Sequence, residues 1–490
     1  MSQLLNRRRA GVLCHISSLP SDAASGDLGV QAFKFIDFLQ EIGATIWQTL
    51  PLNMTHADGS PYQCLSAHAG NPEFICLNTL LGKNWLSSDI LANKTLSKQQ
   101  LINQAYKNYL PNKDEITEET FSLFCNVQAF WLNDFALFLA LRERFSFTGW
   151  FEWDEAYKNR DEATLKSATL LLAQEIATIK FTQYLFFSQW LSLKTYATLK
   201  NVALFGDIPI FVSYDSADVW CNPQLFKLDA EKHMTVVAGV PPDYFSATGQ
   251  RWGNPHYNWK AMQADGFAWW ISRMKTQNAL FDMVRIDHFR GLEAAWEIPV
   301  TDETSINGYW VQAPGDALLD AIKQAFPEMT LIAEDLGVIT PEVNALRDQY
   351  ALPGMKILQF AFGGQDDNPY LPHNIEVNSV VYTGTHDNDT SLGWYGSTSD
   401  FERGYFERYF TGFANESVFK MPFSLVEMAL SCKAQLAVIP MQDILELDTE
   451  HRMNIPGTAL DNWRWRFEWK QLKVRQQKQI KTAIKKSLRA

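Results

Sequence analysis

Short runs of apolar, β-prone residues recur along the chain at 11–16, 45–50, 203–208, 281–287, 330–334, 355–360, 379–385 and 435–440. Several of them end in a charged or polar residue. Runs this short and this apolar predict strands buried on both faces. Most of the gaps between them are long enough for a crossover helix, as at 31–42 and 315–326, where apolar residues return at helical spacing. Eight repeats of strand then helix predict an α/β fold of the (β/α)8 TIM barrel class, in which the active site lies at the C-terminal ends of the strands.

Two gaps exceed a single helix. Residues 53–200, after the second strand, read as a mainly helical insertion, with apolar positions at helical spacing over 121–145 and 162–200. Residues 211–280, after the third strand, read as a loop-rich insertion with Pro, Gly and aromatic residues. Insertions at strand ends build the walls of a barrel's cleft, so the second is expected to form part of a substrate groove. The tail from Gln471 is a basic amphipathic helix suited to packing on the barrel. The chain, 1–490, is therefore expected to be one catalytic barrel, without room for a C-terminal β-sandwich.

The run FDMVRIDHFRG turns polar at its end. Alternation along an extended strand places Arg285 and Asp287 on one face and Val284 and Ile286 on the other. The cation favours an ionised Asp287, which is what a carboxylate nucleophile needs, although one such pair could equally be a structural ion pair. Glu334 in LIAEDLG shares a face with Ile332, whereas Asp335 points away. Asp387 in TGTHDND brings a third acid to the same rim. Two carboxyl groups across a glycosidic bond can do retaining chemistry, one attacking the anomeric carbon and the other protonating the departing oxygen. Glu334 would need burial or a neighbouring anion to lift its pKa toward about 6 to 7 and serve as the acid. Asp387 is then left to hold sugar hydroxyls in the transition state.

With 46% hydrophobic and 20% charged residues the chain has an ordinary globular composition. A net charge of -12 repels polyphosphates and anionic lipid, so neither nucleic acid nor a membrane is an expected partner. No segment has signal-peptide or transmembrane character, and the six scattered cysteines form no C-x-x-C pair, so a cytoplasmic protein with free thiols is expected. No metal or other cofactor is called for: HDND at 386–389 has short spacing and no second cluster. The 17 Trp include several in polar or glycine-containing stretches, such as the one in GQRWG, and flat amphipathic rings suit sugars.

Taken together, VRIDHFRG, AEDLG and THDND resemble the motifs of the 4-α-glucanotransferases (amylomaltases or disproportionating enzymes, glycoside hydrolase family 77) of the α-amylase clan. The similarity continues through SLP, GDLG, WQTLPL, SPYQ, SAHAGNP, GDIPIFV, GVPPDYFSATGQRWGNP, PGMKILQFAF, LPHN and MNIPGT, so it covers nearly the whole chain. It implies that Asp287 is the nucleophile, Glu334 the acid/base and Asp387 the transition-state stabiliser. It further implies that Arg285, His288 and His386 surround the sugar, and that Tyr62, Asp243, Trp252 and Asn462 line the groove, with Trp252 on a mobile loop. The partners implied are a malto-oligosaccharide or α-glucan donor and a glucose or maltodextrin acceptor, handled by a monomer or homodimer. The chain departs from the family at 51–56, where PLNMTH replaces a glycine-rich loop, and at Tyr370, Leu460 and Asp461, positions that bear on chain-length preference. Two alternatives stay open here: a hydrolase on the same scaffold, and a glucan-binding protein without catalysis.

Overall fold

The computed structural model describes residues 3–242, 246–414, 420–458 and 460–490. Each of the eight predicted runs contributes one barrel strand. They are β1 (Arg9–Leu13), β2 (Ile46–Gln48), β3 (Ala203–Ile208), β6 (Met283–Ile286), β9 (Thr330–Ala333), β10 (Gly354–Ile357), β11 (Ser379–Tyr382) and β12 (Leu436–Pro440). They close in the order β1-β12-β11-β10-β9-β6-β3-β2, and every neighbouring pair is parallel. Several strands stop short of the predicted run. In β6 and β9 the chain leaves the ladder at Ile286 and Ala333, and the next residues, Asp287 and Glu334, stand at the rim.

Inside the barrel a separate apolar cluster forms from alternate positions, among them Ile46, Phe205, Met283, Ile332, Met355 and Val438. Phe205 and Met283 point inward, and so, two residues on, do Asp207 and Arg285. The lumen is therefore apolar through its middle and charged at its mouth. Outside, the helix Val30–Ile42 buries Phe35, Ile36, Leu39 and Ile42 and stops at Gly43, whose φ of 83° closes the turn in the left-handed region that glycine enters without strain.

The insertion between β2 and β3 is largely helical, but the apolar stretch at 121–145 is not one helix. Glu115–Val127 and Ala129–Arg144 meet at Gln128 with a bend of 94°. No single helix among the described residues is long and apolar enough to cross a membrane. The last helix of the insertion, Ala173–Leu199, lies against the barrel, and the Trp190 indole donates to the Leu280 carbonyl at 2.8 Å.

A second sheet was not expected. Strands β4 (Val236–Val240), β5 (Gln250–Pro255), β7 (Ala294–Pro299) and β8 (Tyr309–Gln312) pair in the order β5-β4-β7-β8, all antiparallel. Two of these strands fall in the segment predicted to be loop-rich. Gly239, Gly253 and Pro255 mask their alternation, and the register shifts between Val237 and Gly239. Trp252 therefore sits on a strand of this sheet and not on a loop.

Candidate active site

The register of β3 beside β6 sets Asp207 directly opposite Arg285. Arg285 Nη1 donates to both Asp207 oxygens, at 2.8 and 2.7 Å. Its other terminal nitrogen reaches Asp287 Oδ1 at 2.7 Å, so one buried guanidinium holds two carboxylates. The Asp287 side chain remains 28% exposed, which leaves it open to attack a ligand. Burial pushes its pKa up to about 6, with Arg285 opposing and Asp207 and Asp387 adding to the rise. Arg285 favours the ionised form, as expected from the sequence, but desolvation acts against it and is the larger effect.

Glu334 is buried at the end of β9. Its Oε2 accepts from the backbone N–H of His288, the residue after Asp287, at 2.6 Å, and its Oε1 accepts from Leu336 N at 3.0 Å. The two acids therefore face one site across a single peptide unit. Burial raises Glu334 to about 8; the Asp287 charge adds to this, while Arg285 and the His288 N–H oppose it. Burial thus favours the neutral form of both acids, and the Asp287 charge pushes Glu334 further in that direction. Asp335 points away, as alternation predicts, and pairs with Arg347 at 2.5 Å.

Asp387 follows β11 and closes the third side. Burial by itself would raise its pKa, but the His386 charge and hydrogen bonds from His386 and Asn454 more than offset this and hold it well below the carboxylate range. His386 Nε2 lies 3.2 Å from Asp387 Oδ2, Asn454 donates to Oδ1 at 2.6 Å and Arg452 donates to the Asp387 carbonyl at 2.9 Å. Tyr62 stacks on His386, with centroids 5.3 Å apart and planes at 17°. Its hydroxyl donates to Asp207 at 2.7 Å and sits 2.9 Å from His386 Nε2. An unbroken arc thus runs Asp387, His386, Tyr62, Asp207, Arg285, Asp287. Beside His386 lies a small pocket of about 30 Å³, lined in part by His15, Asn388, Asp389, Arg452 and Trp465.

His288 adopts a left-handed φ of 51°. Its Nε2 is buried without a hydrogen-bond partner, and burial pushes the ring's pKa down to about 3, so the imidazole is neutral. Trp252 meets it edge to face at 4.9 Å. Asn462 is placed differently: its carboxamide accepts from Ile455 N at 2.9 Å and donates to the Thr458 carbonyl at 2.9 Å, so its hydrogen bonds stay within its own loop. Asp243 and Tyr244 lie outside the described residues. Among the described residues no group of three or more His, Cys, Asp or Glu side chains is placed to hold a metal ion.

The sequence profile described as 4-alpha-glucanotransferase matches residues 14–472. The chain belongs to the 4-alpha-glucanotransferase family. It is an enzyme of that class. A 4-alpha-glucanotransferase of Synechocystis is 45% identical over 485 residues, covering 96% of this chain and 95% of its own. One from Thermus thermophilus is 45% identical over 473 residues, covering 94% and 95%. Among solved structures, the amylomaltase from Streptococcus agalactiae in complex with acarbose superposes with a TM-score of 0.95 at 35% identity, covering 99% of this chain and 100% of that one.

Two site residues escaped the reading of the sequence for chemistry. Asp207 follows Phe205 by two positions in ALFGDI, the same stride that singled out Asp287, but its partner is fixed only by the register with β6. Gln63 follows Tyr62. Its amide spans Asn254 on β5, at 3.1 Å, and the Ser213 hydroxyl, at 2.8 Å. An amide next to a predicted groove residue is too common a feature to mark it.

Proposed function

We propose that the enzyme disproportionates α-1,4-glucans by a retaining double displacement with Asp287 as nucleophile. Ionised Asp287 attacks the anomeric carbon of the donor, the bond from that carbon to the leaving glucan's O4 breaks, and protonated Glu334 passes its proton to that oxygen. In the second step the acceptor's 4-hydroxyl attacks the glycosyl ester, Glu334 takes the hydroxyl proton, and Asp287 leaves as a carboxylate. Asp387, held ionised, binds sugar hydroxyls most strongly as positive charge develops on the ring. Arg285, His288 and His386 hold the sugar between the acids, and Tyr62 and Trp252 supply stacking faces on either side.

The observation that carries this reading is geometric: Asp287 is paired with Arg285 at 2.7 Å, while buried Glu334 accepts from the N–H of the very next residue, His288, at 2.6 Å, so two acids in different surroundings meet in one site. Carboxyl groups pushed to different pKa values by their surroundings are how one site supplies nucleophile and acid together. Membership of the transferase family favours transfer over hydrolysis on the same scaffold. The donors and acceptors we assign are maltodextrins and related α-glucans, and six unpaired cysteines suit the cytoplasm.

Maltotriose supplies the test. Glucose and a ladder of longer glucans at a constant count of reducing ends is the expected result, whereas a steady rise in reducing ends would make the enzyme a hydrolase. Asp287→Asn should abolish turnover and leave glucan binding measurable; retained turnover would remove the nucleophile assignment.

A further inference from the structure

The loop at 383–391 runs from the end of β11 to the helix Ser391–Ser397 and carries His386 and Asp387. Its two ends are tied to one carboxylate. Asp443, at 2% exposure, lies on the short helix that follows β12. It accepts from the Thr383 hydroxyl at 2.6 Å, from the Ser391 hydroxyl at 2.6 Å and from the Ser391 N–H at 2.9 Å. None of these donors is a cation, so three neutral hydrogen bonds hold a buried acid and both loop ends at once. From the other side Gln359, just after β10, donates to the Asp389 carbonyl at 2.8 Å. A Cβ at Gly384 would come within 2.7 Å of that same amide, so the backbone passes close against it. Between these anchors Asn388 Oδ1 accepts from the N–H and the hydroxyl of Thr385, both at 2.9 Å, which folds the tip back on itself.

We propose that Asp443 is the positioning residue of this loop: by gripping Thr383 and Ser391 together, it sets where Asp387 and His386 stand relative to Asp287. It does not touch the reacting atoms. A loop bracketed at both ends by one buried acceptor has its span fixed, and a displacement of about 1 Å in a transition-state contact can cost about a hundredfold in rate. The proposal rests on the role given above to Asp387.

Asp443→Asn retains the shape, and the rotating hydroxyls of Thr383 and Ser391 can accept from its amide, but its single oxygen cannot accept from the Ser391 N–H and from the two hydroxyls at once, since these bonds fall on opposite carboxylate oxygens. The expected result is a fall in kcat on maltotriose of about tenfold to a hundredfold, with KM within about twofold. The decisive comparison is made in an Asp387→Asn background with an activated aryl maltoside donor. There Asp443→Asn should cost little further, because the contact it positions is already gone. An unchanged kcat in the single variant, or a loss of equal size in both backgrounds, overturns the proposal. Should Asp443→Asn fail to fold, Ser391→Ala, which removes one hydroxyl and keeps the N–H bond, is read by the same two criteria. Full activity of Asp387→Asn alone would instead overturn the role of Asp387, so the two failures are told apart.

Discussion

Asp287 and Glu334 are both acids that burial drives toward the neutral form, and what separates them is how much of that effect each neighbour cancels. Asp287 has Arg285 against one oxygen at 2.7 Å, whereas Glu334 receives two backbone N–H groups and feels the Asp287 charge. The sign of the pH dependence follows. On the proposed mechanism activity requires Asp287 deprotonated, so the rate rises as pH climbs through about 6, and Glu334 protonated, so it falls as pH climbs through about 8. A bell-shaped profile of kcat/KM with limbs near those values is expected, the two limbs belonging to the pair jointly. Replacing Glu334 with Gln should remove the alkaline limb from the residual activity; an unaltered alkaline limb would show that another group sets it. At this scale much was legible: alternation in VRIDH and LIAED told Arg285 and Asp287 from Val284 and Ile286, and Glu334 from Asp335. The desolvation that raises the Asp287 pKa was not, because it depends on everything packed around the rim.

At the scale of elements, Tyr62 and Trp252, the aromatic residues proposed to wall the groove, come from separate insertions that are joined through Gln63. Trp252 stands on β5, Tyr62 on the loop after β2, and the Gln63 amide bridges Asn254 of β5 and Ser213 of the segment after β3. Asn254 is itself tied to the Val212 carbonyl at 3.0 Å. Gln63→Leu keeps the volume and removes both ends of this bridge, freeing β5 relative to the Tyr62 loop. We expect KM for maltotriose to rise about tenfold with a smaller change in kcat, since orientation of the bound chain is lost while the acids stay in place; a kcat loss without a KM change would place Gln63 with the acids instead. The antiparallel sheet that makes this coupling was illegible in the sequence. Its four strands come from 236–312 and pair across β6, and two of them carry the glycines and proline that usually mark loops.

At the scale of the whole molecule, the barrel must close where its first and last strands meet, and the clamp there is Arg489. It is fully buried and donates to five backbone carbonyls: Leu430, Cys432, Ala434, Gln435 and Arg9. Arg9 begins β1 and Gln435 immediately precedes β12, so the guanidinium sits at the N-terminal end of the seam, at the opposite end of the barrel from the acids. Arg489→Met would strand those carbonyls in the interior, at a cost on the order of 3 kcal/mol. A fall in Tm of several degrees, with kcat at 25 °C unchanged, is the expected outcome. A loss of kcat in the fully folded variant would show that the seam and the site are coupled.

The chain by itself determined its eight strands, the helices that cross between them, and which residues at the ends of β6 and β9 turn inward, because alternation and helical spacing are properties of consecutive residues. Barrel periodicity grouped the three acids at one rim, and the family motifs added Tyr62, Asp243, Trp252 and Asn462 as expected groove residues. Only the folded molecule decided that Asp207 stands against Arg285, that burial raises both Asp287 and Glu334, and that Asp443 holds the Asp387 loop from the short helix after β12. Each of these depends on which distant segments become neighbours and on how much water they exclude, and both are sums over contacts that no local stretch of chain contains.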